Sequence, residues 1–257
     1  MVGLLDGKKA LVMGVANDRS IAWAIAKALA DQGAELIFTY QGERLERRVR
    51  ELAEQIPGSL LFPCDVSRDE DLDALKEILD QQVGALHVLV HSIAFAKTEE
   101  LSGLYVDTSR EGFAVAQEIS VYSLTAVLQR LRGLLAKEGG SVITMTYMGS
   151  ERVMPNYNVM GVAKAALESS VRYLAEDLGP DGIRVNAISA GPIRTLSAKG
   201  IKDFNSILKI IEEKAPLRRN TDPAEVGDTA VFLASSMSRG ITGEIIHVDN
   251  GYHIMGV

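Results

Sequence analysis

The sequence is poor in the features that mark secreted, membrane-spanning or metal-binding proteins. Its 257 residues include one cysteine, Cys64, which excludes an internal disulfide and a multi-cysteine metal site. No run of about eighteen uncharged apolar residues is present, and the N-terminal stretch lacks a basic segment followed by a long apolar one. We therefore expect a cytoplasmic protein with no membrane partner, in which Cys64 packs as a small buried side chain.

The charge balance and the histidine positions are also not those expected of nucleic-acid-binding or metal-binding proteins. Acidic residues outnumber basic ones by 34 to 27, and the formal net charge of -7 disfavours nucleic acid and anionic membranes as partners. None of the histidines belongs to a metal-ligand pattern such as an i, i+4 pair with an acidic partner; they are His87, His91, His247 and His253. The sequence therefore predicts structural histidines and no metal site.

A regular alternation of two kinds of segment fills the chain instead. Seven short apolar runs are typical of buried strands: Lys9–Met13, Glu35–Tyr40, Ser59–Phe62, Leu86–His91, Ser141–Thr146, Ile183–Ile188 and Glu244–Val248. Between them, apolar residues recur at helical spacing in segments such as 21–32, 69–82 and 110–135. No Pro/Ser-rich linker, low-complexity tract or internal repeat interrupts this order.

Strands that alternate with helices imply right-handed crossovers and a parallel sheet. The sequence therefore predicts a single α/β domain over residues 1–257. We expect a Rossmann-like, doubly wound, seven-stranded parallel sheet with helices on both faces. Such an open sheet binds ligands at the carboxyl ends of its strands, where the strand order reverses.

The turn after the first strand has the properties of a phosphate-binding turn, although it lacks the usual Gly-x-Gly-x-x-Gly pattern. Gly14 allows a tight turn, Ser20 is a good helix N-cap, and Ala22 is small enough for close packing of helix on sheet. The free amides of Ser20 and Ile21 at the helix N-terminus would then bind pyrophosphate. An ordinary strand-to-helix turn is the alternative interpretation.

The second and third strands end in polar residues suited to the adenosine half of a dinucleotide. Gln41 can hydrogen-bond ribose hydroxyls without charge, and only Arg44 is near enough in sequence to attract a 2′-phosphate. This pattern favours NADH over NADPH. Asp65 either accepts a hydrogen bond from the adenine amino group or serves only as a turn acceptor.

The segment after the fifth strand contains two tyrosines and a lysine. Tyr157 lies seven positions before Lys164, on the same helix face and roughly 10 Å away along the axis. Judged from this pattern alone, Tyr147 is a core or wall residue, and Tyr157 is either that or functional.

These residues resemble the short-chain dehydrogenase/reductase family, with departures that narrow the resemblance. Ordinary members place a serine seventeen residues before the active-site lysine and a tyrosine four before it, but here those positions hold Tyr147 and Met160. The departures match the NADH-dependent enoyl-(acyl-carrier-protein) reductases of the FabI type, which the chain resembles from end to end. The motifs that carry this resemblance are Gly14 to Ala22, His91 to Ala96, Pro155 to Met160, Arg184 to Thr195 and Gly243 to Gly251.

The resemblance implies an enzyme that uses NADH to reduce the trans-2 double bond of enoyl thioesters on acyl carrier protein, in the fatty acid elongation cycle. It also implies a homotetramer. In such a substrate, hydride adds to the β-carbon while charge builds on the thioester oxygen, so the proton donor must stand further off than in a carbonyl reductase. By resemblance, Tyr157 is that donor and Lys164 binds the nicotinamide ribose. Tyr147 is a third active-site residue, which lines the acyl pocket.

The same resemblance assigns the binding residues. The cofactor would contact Gly14, Ser20, Ile21, Gln41, Asp65, Val66, Ser92, Ile93, Lys164, Ile193 and Thr195. The substrate would contact Ala96, Tyr147, Tyr157, Met160, Phe204 and Ile207.

The segment Leu196–Lys214 is unusually long for a strand-to-helix connection. It carries an apolar stripe at helical spacing, formed by Ile201, Phe204, Ile207, Leu208 and Ile211. It is either a core-packing helix or, as we prefer, part of a mobile lid at about 194–214 that covers a fatty acyl chain. Its cations would suit an acidic carrier protein; they are Arg194, Lys199, Lys202 and Lys209.

The sequence disfavours two other functions. A carbonyl-reducing short-chain enzyme is disfavoured because Met160 occupies the usual tyrosine position. A non-catalytic NAD-binding protein would be expected to have lost Tyr157 or Lys164, and both are present.

Overall fold

Seven strands form one sheet in the computed structural model, which describes residues 3–200 and 202–256 apart from the side chains of Ser197 and Lys199. The strands are β1 Lys9–Met13, β2 Glu35–Tyr40, β3 Leu60–Pro63, β4 Val88–His91, β5 Ser141–Thr146, β6 Arg184–Ala190 and β7 Ile245–Val248. They lie in the order β3-β2-β1-β4-β5-β6-β7, and every neighbouring pair is parallel. The predicted fold class is therefore confirmed.

Helices connect these strands. They are α1 Ile21–Asp31, α2 Gly42–Ala53, α3 Asp69–Gln82, α4 Arg110–Gln117, α5 Ser123–Leu135, α6 Asn158–Leu178, α7 Phe204–Lys214 and α8 Pro223–Ala234. The helices predicted at 21–32 and 69–82 are confirmed to within a residue. The helix predicted at 110–135 has the right extent, but a π-helical turn at Glu118–Tyr122 divides it into α4 and α5.

The core lies on both faces of the sheet. In β1, Ala10 and Val12 pack into the cluster that includes α1 and α8, whereas Leu11 and Met13 pack into the cluster that includes α3, α5 and α6. Successive strand residues point to opposite faces, so a strand covered on both sides needs apolar residues at every position. This is why the strands appear in the sequence as continuous apolar runs.

The strand order reverses between β1 and β4. The chain winds from β1 outward to β3, then returns across the sheet to pair β4 with the other side of β1, where Met13 lies opposite His91. The turns after β1 and β4 therefore diverge to opposite faces and leave a crevice between them.

Cys64 is buried, as predicted, and burial raises the pKa of its thiol to about 12. Among the described residues, no helix has both the length and the apolar character needed to cross a membrane.

Candidate active site

The crevice at the carboxyl ends of β1 and β4 brings two predicted cofactor residues into contact. Gly14 follows β1 with φ of +100°, a conformation that L side chains rarely adopt. A Cβ atom on Gly14 would lie 2.1 Å from the carbonyl oxygen of Ser92 and 3.4 Å from the nitrogen of Ile93. The Ser92 amide in turn donates to the Met13 carbonyl at 3.1 Å. Glycine at position 14 is therefore required for the close approach of the two turns.

The turn between β1 and α1 is held together by Ser20. This residue occupies the N-cap position, as predicted, but its hydroxyl does not cap α1. It accepts instead from the amides of Ala16 and Asn17, each at 3.0 Å, while the Ser20 amide donates to the Asn17 carbonyl at 3.1 Å. The prediction that the Ser20 amide is free is therefore wrong, because the turn uses it internally. The Ile21 amide has no acceptor among the described residues, so an anion at this helix N-terminus would meet that group.

The ends of β2 and β3 come together through side chains. The Gln41 amide donates to Asp65 Oδ2 at 2.8 Å, and Asp65 Oδ1 accepts from the amide and hydroxyl of Ser67 at 3.0 and 2.7 Å. Burial raises the pKa of Asp65, but the hydrogen bonds from Ser67 and Gln41 outweigh it and hold the pKa below its usual value. Asp65 therefore accepts hydrogen bonds within its turn, and its contact with the adenine amino group stays a prediction. Adjacent Val66 is partly buried against the cluster beneath.

Tyr147 and Tyr157 form one aromatic pair beyond the end of β5. Their ring centroids are 5.1 Å apart and the rings meet edge to face, at 76°. Burial is the main cause that raises the pKa of both phenols above the ordinary value; Tyr252 and Asp249 add to it at Tyr147, and Tyr147 and Glu168 add to it at Tyr157. Both phenols therefore keep their protons at neutral pH and can donate hydrogen bonds.

Two glycines that the sequence analysis did not single out allow this pairing. A Cβ atom on Gly149 would lie 2.5 Å from Cδ1 of Tyr157 and 3.3 Å from Cδ1 of Tyr147. A Cβ atom on Gly161 would lie 2.7 Å from the Gly149 carbonyl oxygen. The absence of both side chains lets the turn after β5 lie directly against the start of α6. The sequence shows Gly149 two residues after Tyr147, but the contact that requires a glycine there appears only in the fold.

The backbone around Tyr157 is held by two asparagines in the left-handed region. Asn156 has φ of +60° and Asn158 has φ of +29°, and asparagine tolerates this region better than most residues do. The Asn156 side chain donates to the Lys202 carbonyl at 3.1 Å, and the Asn158 side chain donates to the Gly103 carbonyl at 3.2 Å. Tyr157 is thus fixed at the N-terminus of α6 by contacts to two separate loops.

Lys164 lies in the second turn of α6 and is buried, with 5% of its surface exposed. Its Nζ donates to the Met145 carbonyl in β5 at 2.7 Å, which is its one acceptor among the described residues. Burial lowers the pKa of the ammonium to about 8, and the nearby Glu168 carboxylate opposes that shift. Because an ammonium has three donors, two remain for other acceptors, such as ribose hydroxyls.

Met160, which stands where ordinary members carry their tyrosine, is buried and packs with Val159 and Ala163. Its sulfur lies 3.7 Å from the hydroxyl of Ser120, in the π-helical turn. The same hydroxyl accepts from the Phe95 amide at 3.0 Å, and partly buried Ala96 packs against the Met160 cluster. The π-helical turn therefore presents Ser120 to the loop after β4, a feature that the apolar spacing of this helix does not reveal.

The loop after β6 carries the last two predicted cofactor residues. Ile193 is buried against the cluster that includes α1 and α8. The Thr195 hydroxyl accepts from the Ala198 amide at 3.1 Å and so starts the helical turn Ser197–Gly200. The Arg194 side chain donates to Asn205 Oδ1 at 2.5 Å, which ties this loop to the beginning of α7.

The predicted apolar stripe lies mainly on α7. Leu208 and Ile211 are buried, whereas Phe204 and Ile207 are partly buried; Ile201 lies outside the described residues. Burial of Leu208 and Ile211 favours the packing-helix interpretation for the second half of α7. Among the predicted cations other than Arg194, Lys209 pairs with Glu213 at 3.8 Å, Lys202 is exposed, and the Lys199 side chain is outside the described part.

The histidines make structural contacts. His91 is buried, with Nε2 2.8 Å from the Ser123 hydroxyl and Nδ1 3.2 Å from the Thr144 hydroxyl. Burial, followed by the charge of Lys164, lowers the pKa of His91 to about 3, so the ring is neutral. Nearer the surface, His87 contacts Glu138 at 2.8 Å, and His247 stacks on His253. The described residues contain no cluster of three or more His, Cys, Asp or Glu side chains able to hold a metal ion.

The chain is similar to known proteins in both sequence and structure. A family model described as Enoyl-(Acyl carrier protein) reductase matches residues 14–253. A Bacillus cereus protein named enoyl-(acyl-carrier-protein) reductase (NADH) FabI is 64% identical over 255 residues, 98% of this chain and 99% of the relative. A Staphylococcus aureus protein named as the NADPH form of FabI is 55% identical over 251 residues, 97% of this chain and 98% of the relative.

A solved structure also matches the fold over almost the whole chain. The crystal structure of Bacillus cereus enoyl-acyl carrier protein reductase with NADP+ and indole naphthyridinone matches with a TM-score of 0.97 and 63% identity. The match covers 99% of this chain and 100% of the other.

Proposed function

The chain belongs to the enoyl-(acyl-carrier-protein) reductase family, and from this premise we propose that it reduces the trans-2 double bond of enoyl-(acyl-carrier-protein) thioesters with NADH. The products are saturated acyl thioesters, and the reaction is the last reductive step of the fatty acid elongation cycle. The observation that carries this proposal is the placement of Tyr157 and Lys164: a protonated phenol at the start of α6 and a buried ammonium two turns later.

The residues of the crevice fit a dinucleotide. Gly14 keeps the two turns at the switch point in contact, and the Ile21 amide is available to a phosphate at the N-terminus of α1. Lys164 has two donors left for ribose hydroxyls. The chemistry that bound NADH supplies is the transfer of a hydride to the β-carbon of the substrate. Ser92, Ile93, Ile193 and Thr195, on the loops after β4 and β6, would hold the nicotinamide end.

Tyr157 is the hydrogen-bond donor in this proposal. As the double bond is reduced, negative charge builds on the thioester oxygen, and a donor aimed at that oxygen stabilises the transition state. The raised pKa of Tyr157 keeps its proton in place for this role. The edge-to-face contact with Tyr147, the gap at Gly149 and the two flanking asparagines orient the Tyr157 ring.

The acyl chain would lie against apolar side chains around the tyrosine pair. Tyr147 forms one wall, and Ala96 and Met160 form another. Partly buried Phe204 and Ile207, on α7, would line this region as part of a lid at about 194–214. Buried Leu208 and Ile211 would anchor the lid at its second half, while the first half moves.

Met160 also decides against a carbonyl reductase. A carbonyl reductase needs an acid beside the carbon that receives hydride, and the residue at that position is a buried thioether in contact with Ser120. Methionine has no proton to donate. No observation favours a non-catalytic role.

We propose that NADH is preferred to NADPH. The Gln41 amide is neutral and already binds Asp65, and Glu43 would repel a 2′-phosphate. Arg44, exposed at the start of α2, is the cation that could reverse this preference. The Staphylococcus aureus relative, whose name specifies NADPH, shows that the family includes both preferences.

The substrate implies acyl carrier protein as the partner. We further propose that the enzyme is a homotetramer and that it works in the cytoplasm; sedimentation of the purified protein would measure the number of subunits. Family membership supports both proposals.

The test of function is the oxidation of NADH, followed by its absorbance, with a trans-2-enoyl thioester and separately with a 3-oxoacyl thioester. We expect turnover of the first and none of the second. Repetition with NADPH measures kcat/KM for each cofactor. Comparable turnover of the 3-oxoacyl thioester would contradict the proposed reaction, and equal kcat/KM values would contradict only the cofactor preference.

A further inference from the structure

Glu168 is a buried carboxylate that none of the recognised motifs includes. It lies on α6 with 7% of its surface exposed, one helical turn after Lys164 and on the same face. Glutamate is almost never fully buried unless its charge has a partner. The contacts of Glu168 therefore indicate what the carboxylate does.

Glu168 binds the strand that carries the active site. Its Oε1 accepts from the Thr146 hydroxyl at 2.5 Å, and Thr146 is the last residue of β5, directly before Tyr147. Lys164 makes the corresponding contact one residue earlier, with its Nζ on the Met145 carbonyl at 2.7 Å. The two side chains thus bind α6 to adjacent residues of β5 and leave the Glu168 charge beneath the site.

Glu168 and Lys164 do not form a direct ion pair. The Lys164 ammonium nitrogen and the Glu168 carboxylate oxygens are more than 4.0 Å apart. The carboxylate nevertheless acts on the ammonium across the gap: burial lowers the pKa of Lys164 to about 8, and Glu168 raises it. Its charge also helps to keep Tyr157 protonated, after the larger effects of burial and Tyr147.

Other ionisable groups near Lys164 carry no charge at neutral pH. His91, which reaches the same space from β4, is neutral because its pKa is lowered to about 3. Tyr147 and Tyr157 are protonated phenols. Glu168 is therefore the negative charge that faces Lys164 within the described part of the chain.

Charged side chains on the elements packed against α6 are directed elsewhere. Glu100 accepts from Ser109, Glu111 pairs with Lys97, Arg130 pairs with Asp69 and Asp73, and Arg184 donates to carbonyls at the end of α8. The remaining charged residues on those elements are exposed: Glu99, Arg110, Glu118, Arg132, Glu151 and Asp181.

We propose that Glu168 is a positioning residue for the reduction, whose carboxylate, held by Thr146, is the counter-charge that keeps the buried Lys164 protonated and in place to bind the cofactor ribose. This inference rests on the proposed function, since it assigns Glu168 a role through Lys164. It also has a consequence for cofactor binding that can be measured without turnover.

Glu168→Gln tests the proposal because it removes the charge and leaves an amide oxygen that can still accept from Thr146. The two measurements are kcat/KM for NADH with a trans-2-enoyl thioester, and the Kd of NADH from its fluorescence, each between about pH 6 and pH 10. In the unaltered enzyme, kcat/KM should fall and the Kd of NADH should rise as pH increases through the pKa of Lys164, because the ammonium loses its proton. An opposite charge nearby shifts a pKa by about one unit or more. Glu168→Gln should therefore move the alkaline limb, which is the part of each profile where activity and NADH affinity are lost, to lower pH by about one unit. The kcat/KM and Kd values near pH 6 should change little.

Three further variants separate the effect of the Glu168 charge from effects on structure. Glu176→Gln removes an exposed carboxylate from the same helix and should leave both profiles unchanged. Glu168→Asp keeps the charge, so its alkaline limb should lie above that of Glu168→Gln even if its melting temperature falls. If Glu168→Gln does not fold, Thr146→Val with Glu168→Met removes the charge and both polar partners together, a replacement that can be nearly neutral for stability. It should show the same lowered limb.

An alkaline limb that stays at its original pH in the folded charge-free variant would overturn the role of Glu168. A limb lowered equally by Glu168→Asp and Glu168→Gln would overturn it as well, because charge would then be irrelevant. Failure of the proposed function is distinguishable: the unaltered protein would not reduce an enoyl thioester, while the Kd profile would still report the effect of Glu168 on Lys164.

Discussion

Tyr157 and Lys164 lie on one helix, but their surroundings fit them for different tasks. Burial preserves the proton of Tyr157, so its phenol is a neutral hydrogen-bond donor whose contribution depends on the orientation of the ring. Burial makes the Lys164 charge easier to lose, so that residue depends on its electrostatic partners. The sequence singled out both residues through their seven-residue spacing together with the family resemblance. It did not reveal Gly149 or Glu168, because their roles depend on contacts that the fold makes between β5 and α6.

Tyr157→Phe and Lys164→Ala should therefore fail differently. Tyr157→Phe should retain NADH affinity and lose about 3 kcal/mol of transition-state stabilisation, on the order of a hundredfold in kcat, as expected for one oxyanion donor. Lys164→Ala should weaken NADH binding by about tenfold or more, because hydrogen bonds from a charged group contribute about 1.5–3 kcal/mol. Steady-state kinetics and NADH fluorescence measure the two effects. Equal weakening of NADH binding by both changes would refute this division of roles.

Gly149→Ala should reduce activity although it removes no proton donor. The new methyl group would lie 2.5 Å from the Tyr157 ring, too close for either group to remain where it is, so the tyrosine must move. We expect a fall in kcat of about tenfold or more, since small misplacements of a reacting group are costly. Gly133→Ala is the matched control, because a Cβ atom there meets nothing within 4 Å. Retention of full activity by Gly149→Ala would show that the orientation of Tyr157 is not critical.

Strands and helices were predicted more fully than the turns between them. Each strand is covered on both faces, so its apolar run is a strong signal, and the strand positions are correct to within one or two residues. The π-helical turn was missed because the apolar residues on either side keep helical spacing while Ser120 turns to Phe95. Ser20 was assigned a free amide because N-cap statistics do not show that the preceding loop binds that amide.

The segment 196–214, part of the proposed lid, should differ in mobility between its two halves. Among the described residues, its first half is held by hydrogen bonds such as that from Asn156 to the Lys202 carbonyl, whereas buried Leu208 and Ile211 anchor the second half. Amide hydrogen exchange in the free protein should therefore be fast before Leu208 and slower after it. Addition of NADH with an acyl ligand should slow the first half and leave β1 as an unchanged reference. Slow exchange of the first half without ligands would show a fixed helix and contradict the lid.

At the scale of the whole molecule, charge limits how the enzyme can meet its partner. A protein of net charge -7 repels an acidic carrier protein at long range, so docking needs a local group of cations. In the proposed lid, Arg194 is held by Asn205 and Lys209 is paired with Glu213. Lys202 is exposed and forms no ion pair among the described residues, so we propose it as a cation that receives an acidic partner.

Lys202→Glu should therefore raise KM for an enoyl thioester on acyl carrier protein by several-fold and leave KM for the corresponding coenzyme A thioester nearly unchanged. Reversal of one charge at a docking surface mainly alters encounter with the partner, and this contribution is screened by salt. The difference between Lys202→Glu and the unaltered enzyme should accordingly shrink as ionic strength rises. Lys27→Glu, which makes the same change at an exposed position on α1, is the control and should affect neither substrate. If Lys202→Glu raises KM for both thioesters alike, Lys202 acts on the acyl site or the lid itself, and the carrier protein docks on another surface.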